Sequence, residues 1–78
     1  MKVTRYFESM RVRPHRAGIK EAWIEAAVAD PEREVTQADG RIRRWRAVPE
    51  AEGRYLRVVL LADGETVHNT FFDRGYKP

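Results

Sequence analysis

The chain has no cysteine among its 78 residues, which excludes disulfides and thiolate metal sites and fits a reducing compartment. It has a single serine, Ser9, and no histidine shares the helix predicted around it, so a serine-based triad is absent. No glycine-rich phosphate loop occurs. Neither histidine, His15 or His68, has a second ligand at helical or strand-alternate spacing, so no metal site and no cofactor are expected. The segment Met1-Lys2-Val3-Thr4-Arg5-Tyr6 lacks an apolar signal core, and no apolar run approaches membrane-spanning length. These absences predict a soluble cytoplasmic protein without membrane contact.

A chain this short folds as one small α+β domain over residues 1–78, burying about 60% of its unfolded surface around one helix-on-sheet core. Its net charge of +3 is unevenly spread. Residues 1–16 carry Lys2, Arg5, Arg11, Arg13 and Arg16 against Glu8 alone. Residues 18–34 invert the balance, with Glu21, Glu25, Asp30, Glu32 and Glu34 against Lys20 and Arg33. Residues 41–61 are basic again through six arginines, opposed only by Glu50 and Glu52. Arginine outnumbers lysine twelve to three. A GC-rich genome gives that bias, and so does selection for a planar phosphate fork.

Helical spacing of Val3, Phe7 and Met10 predicts a short helix over 4–12, with Thr4 as N-cap and Pro14 barring continuation. A basic loop with His15 runs from Val12 to Gly18. A second helix is predicted at 19–30, with Ile19, Trp23 and Ala27 on one stripe, Ile24 and Val28 widening it, and Pro31 ending it. The period then changes to alternation. Strands are predicted at 34–37, 41–48, 54–61 and 66–73, joined by Asp39-Gly40, by a loop over 49–53 and by Asp63-Gly64. The order α-α-β-β-β-β predicts two N-terminal helices packed on one face of an antiparallel four-stranded sheet.

The simplest registers pair Val48 with Tyr55 and Leu61 with Thr66. They place Trp45, Ala47, Leu56, Val58, Leu60, Val67 and Phe71 under the helices, with Asn69 as the polar exception. The opposite face then gathers Arg44, Arg46, Tyr55, Arg57, Val59, His68, Thr70 and Phe72. A slip of one residue would turn Arg44 and Arg46 toward the helices, at a desolvation cost that favours the first register. Asn69 would then meet a helix terminus or mark a bulge that re-aims His68. Trp23 and Trp45 fall on apolar stripes and read as core.

Like charges side by side on strands destabilise a fold unless an anion neutralises them, so RNA phosphate is the expected partner of this face. Arg44, Arg46 and Arg57 are the expected phosphate contacts. His68 has the right titration range for a proton carrier, with Tyr55 assisting, in a metal-independent cleavage of RNA. The competing reading makes His68 a partly buried sheet residue. His15 and Arg11 divide in the same way between phosphate contact and solvated basic surface.

Four segments also carry a family resemblance: Phe7-Glu8-Ser9-Met10-Arg11, Ile24 to Pro31, Tyr55-Leu56-Arg57-Val58-Val59-Leu60, and Asn69-Thr70-Phe71-Phe72-Asp73-Arg74. Their pattern resembles small toxin-like domains of the RelE/BrnT type, within the barnase–EndoU–colicin–RelE group of metal-independent ribonucleases. The resemblance implies an RNA-directed toxin-like domain and an acidic antitoxin or other protein partner. Arg11, Arg57 and Thr70 carry over from that pattern. Where the related branch usually has a histidine in its first helix this chain has Tyr6 and Phe7, so an activity that depends on that histidine is either lost or passes to His68. The alternatives are a non-catalytic module that binds a protein or nucleic acid through the basic face, or an inhibitor of another enzyme.

Overall fold

Thr4 starts the first helix. In the computed structural model, which describes residues 1–78, its backbone is extended and its hydroxyl accepts the Phe7 N–H at 3.1 Å. This cap satisfies a donor that the helix leaves open. Helix α1 (Arg5–Met10) buries Phe7. The expected basic loop contains a one-turn helix, α2 (Pro14–Ala17), because Pro14 occupies a first-turn position where its missing N–H costs nothing. Helix α3 (Glu21–Ala29) buries Ile24 and Ala27 and stops before Pro31.

Four strands follow: β1 (Arg33–Thr36), β2 (Ile42–Val48), β3 (Arg54–Leu60) and β4 (Val67–Phe72). They form an antiparallel meander in the order β1-β2-β3-β4. A 3₁₀ turn at Pro49–Ala51 and consecutive left-handed residues, Glu52 (φ 62°) and Gly53 (φ 72°), return the chain from β2 to β3. Phe7, Ile24 and Ala27 from the helices close over Val48, Ala51, Leu56, Val58, Leu60 and Val67. The segment around Val3 adds a parallel bridge to Val67, with hydrogen bonds from Thr4 N–H to Val67 O (3.0 Å) and from Val67 N–H to Lys2 O (2.9 Å). No helix is long and apolar enough to cross a membrane. The α+β class, with helices ahead of an antiparallel four-stranded sheet, is as the sequence predicts.

The register corrects the expected faces. Val48 pairs with Arg54, Ala47 with Tyr55, Trp45 with Arg57 and Arg44 with Val58, one residue away from the expected pairing. Ile42, Arg44, Arg46 and Val48 therefore share the helix side with Leu56, Val58 and Leu60. Arg43, Trp45 and Ala47 lie on the outer side with Tyr55, Arg57 and Val59. Desolvation did not forbid this arrangement, because both arginines reach the end of α3. Arg44 Nη1 donates to Val28 O at 2.9 Å and Nε to Glu34 Oε1 at 2.6 Å. Arg46 Nη1 donates to Asp30 O at 2.7 Å and to its carboxylate at 3.2 Å. The carbonyls at the end of a helix lack intrahelical donors and carry partial negative charge, so two guanidiniums there meet acceptors in place of an apolar wall.

A second correction comes from a bulge. Leu60 pairs with Val67 as expected, but Val59 pairs with Asn69, leaving His68 as the extra residue. Beyond it the parity of β4 inverts. Thr70 and Phe72 turn to the helix side, where Thr70 is 4% exposed, while Asn69 and Phe71 turn outward.

Candidate functional site

The outer face of the sheet centres on Arg57. Its cross-strand partners are Trp45 on β2 and Phe71 on β4. The guanidinium carbon lies 5.6 Å and 5.1 Å from those two ring centroids, so the cation is held between aromatic faces. Its Nη1 is 3.5 Å from Asp73 Oδ2, and its buried Nε has no hydrogen-bond partner.

Asp73 follows the end of β4 and folds back over this face. Its N–H donates to Tyr55 O (2.9 Å), and its carboxylate accepts Trp45 Nε1–H (3.0 Å) and Gly75 N–H (3.1 Å). The Trp45 hydrogen bond leads the causes that hold this carboxyl below the usual carboxylate range, with the Gly75 N–H and Arg57 adding to it. Tyr76 then stacks on Trp45, centroids 5.0 Å apart and planes 16° from parallel, and also contacts the Tyr55 ring at 4.8 Å. Trp45 is only 6% exposed under this cover. The expectation that Trp45 belongs to the core is right about burial and wrong about the side.

Beside this aromatic stack runs a groove of about 560 Å³, whose cations are Arg33, Arg43, Arg57 and Lys77, with Asp73 as its one carboxylate. Val35, Trp45, Gly75 and Tyr76 complete its wall. Arg43 donates through Nε to the neutral Gln37 Oε1 at 2.8 Å. Arg33, Arg43 and Lys77 take part in no ion pair, as is also true of Arg5, Arg13, Arg16, Lys20, Arg54 and Arg74; what sets the three apart is that they line one groove.

Of the residues expected to form a site, only Arg57 and Tyr55 lie in or beside this region. The Tyr55 hydroxyl donates to Glu32 Oε1 at 3.3 Å, and partial burial together with the Glu32 charge raises its pKa. His68 lies beside Val59 and Leu60, four to five residues along β3 from Tyr55, roughly 15 Å at strand rise. Its Nδ1 is 3.0 Å from the Thr4 hydroxyl and its ring stacks on Tyr6 at 4.8 Å. Partial burial, with Arg41 adding to it, lowers its pKa. The expected pairing of His68 with Tyr55 is therefore not assembled.

Arg44 and Arg46 serve the α3 terminus. Arg11 lies over the Phe7 ring and pairs with Glu8 (3.1 Å) and Glu21 (3.6 Å). Thr70 is sealed in the helix-side layer. His15 lines a separate recess of about 260 Å³ with Trp23, Glu50, Glu52, Arg54 and Phe72. Sequence reasoning passed over Arg33, Arg43, Asp73, Tyr76 and Lys77. One signal was present: Ile42 and Val48, the apolar ends of β2, are in phase with Arg44 and Arg46 and out of phase with Arg43 and Trp45. Tyr76 lies past the last strand, where alternation carries no information.

No family model, curated protein or solved structure matches the chain.

Proposed function

We propose that this domain binds single-stranded RNA along the outer face of its sheet. The observation that carries the reading is the groove in which Arg33, Arg43 and Lys77, all without carboxylate partners, surround Arg57 and a stacked aromatic pair. Clustered cations repel one another, and a phosphate backbone supplies the missing counter-charge. Aromatic faces beside such a groove suit unpaired bases, which duplexes do not offer. An acidic protein partner would meet the charge but has no need of the aromatic stack.

Cleavage of the strand would need an acid and a base near a phosphate held at Arg57. Tyr55 is occupied by Glu32, and His68 is anchored to Thr4 at the other end of β3, so binding is proposed and no cleavage step is assigned. A toxin-like role with an antitoxin partner rests on the resemblance of the Tyr55–Leu60 and Asn69–Arg74 segments to RelE/BrnT-type domains. Co-purification with an acidic protein encoded beside this chain tests it.

Fluorescence anisotropy of a labelled single-stranded RNA, titrated in EDTA at several salt concentrations, tests the binding. Up to four phosphates neutralised by the groove cations give a log–log salt slope of about −3, at roughly −0.7 for each phosphate on a single strand. Arg33→Ala and Arg43→Ala should each flatten it by about 0.7. Folded protein that shows no binding at low salt sinks the reading. The same RNA run on a gel reports any cleavage.

A further inference from the structure

Asp73 and Tyr76 occupy the outer face in a particular way: a planar ring lies flat on Trp45 while an anion a few atoms away faces Arg57. A nucleotide presents the same pair, a flat base joined to an anionic phosphate. We propose that the groove contains a one-nucleotide subsite, a base on Trp45 and its phosphate on Arg57, which the chain's own Tyr76 and Asp73 fill until RNA displaces them. The inference rests on the RNA-binding reading above and names the place where a base is held.

Three features favour exchange over a permanent lock. The Asp73–Arg57 contact is loose at 3.5 Å and engages Nη1 only, leaving the buried Nε without a partner. A bound phosphate engaging Nε and a terminal nitrogen together would satisfy that orphan donor, as Asp73 in its present position does not. Tyr76 belongs to no helix or strand, so moving it breaks no ladder of backbone hydrogen bonds. Arg33, Arg43 and Lys77 beside the pair would attract the entering phosphate and the two that flank it. The Trp45 indole N–H, released from Asp73, would remain free to donate to the bound strand.

The Trp45 indole N–H resonance in the intact protein reports the exchange directly. A short oligoadenylate RNA should shift it strongly, while an abasic strand of equal length binds more weakly and shifts it less. Tyr76→Ala removes the internal competitor and replaces no residue of a strand. It should bind the RNA about two- to tenfold more tightly, the equivalent of one aromatic stack. Asp73→Asn keeps an acceptor for the indole while deleting the competing charge, and should also tighten binding.

RNA binding that leaves the Trp45 resonance unmoved overturns the subsite and leaves the RNA-binding reading standing. Weaker or unchanged binding in both Tyr76→Ala and Asp73→Asn does the same, by making those residues part of the platform or irrelevant to it. Absence of any RNA binding overturns both.

Discussion

Neighbouring arginines on β2 should separate cleanly into one that holds the fold and one that holds the ligand. Arg44 is the first kind. Its side chain is 18% exposed, with Nη1 on Val28 O and Nε on Glu34. Arg44→Ala leaves the Val28 carbonyl, in the last turn of α3, without a donor, a loss of roughly 1–3 kcal/mol. Glu34 is half exposed, so water recovers most of its half of the ion pair and little is added there. Loss of positive charge at the helix end adds about 0.5 kcal/mol.

The total, about 1.5–3.5 kcal/mol, is a large part of the roughly 4–12 kcal/mol expected of a domain this size. It corresponds to a fall in melting temperature on the order of 6–28 °C. Arg43→Ala, whose guanidinium loses only the bond to Gln37 on the outer face, should cost under about 1 kcal/mol. Urea unfolding followed by tryptophan fluorescence measures both, and anisotropy with RNA measures the other half. Arg44→Ala should keep wild-type RNA affinity below its unfolding midpoint, whereas Arg43→Ala should weaken binding and flatten its salt dependence. The reverse pattern, a stable Arg44→Ala that loses RNA and an Arg43→Ala that unfolds, would refute the register and the site together.

Asp73 has a folded pKa below its ordinary value, so its contribution to stability is complete above that ordinary value and is lost as pH falls through the folded one. Asp73→Asn should flatten that acid limb in urea midpoints collected from about pH 5 downward. His68 is also depressed, so the unfolded chain binds its proton first, and stability should decline as pH drops from about 6.5 toward the folded value. A ¹H–¹⁵N titration placing the His68 midpoint above that of a free histidine would contradict the burial argument, and His68→Gln should remove the step. Leu56 is fully buried between the helices and the sheet, so Leu56→Ala should cost about 2–5 kcal/mol in urea unfolding, near the limit of a domain this small.

Why β3 was legible and its neighbours were not follows from what alternation can decide. In β3 one parity is wholly apolar, Leu56, Val58 and Leu60, while the other mixes Val59 with Tyr55 and Arg57. Both of its faces are as the sequence predicts, as are the Thr4 cap and the end of α3 before Pro31. In β2 each parity offers apolar residues, Ile42 and Val48 or Trp45 and Ala47, and the choice fell to the two arginines. The desolvation cost that favours the other register applies to a guanidinium facing hydrocarbon.

That condition holds for the middle of a helix and fails at its end, where unpaired carbonyls and the C-terminal partial charge receive a cation. The sequence contains the correction, since Pro31 ends α3 next to Asp30 and within reach of a strand bearing Glu34. An Arg-x-Arg pair following such a terminus has acceptors waiting on the buried side. In β4 the bulge changes parity without altering composition, and Asn69 on an otherwise apolar face was its only trace. The outer site depends on both facts at once. With Arg44 and Arg46 consumed by α3, the sheet cations that share the outer side with Trp45 are Arg33, Arg43 and Arg57. The bulge brings Phe71 across from them, to hold Arg57 between two rings.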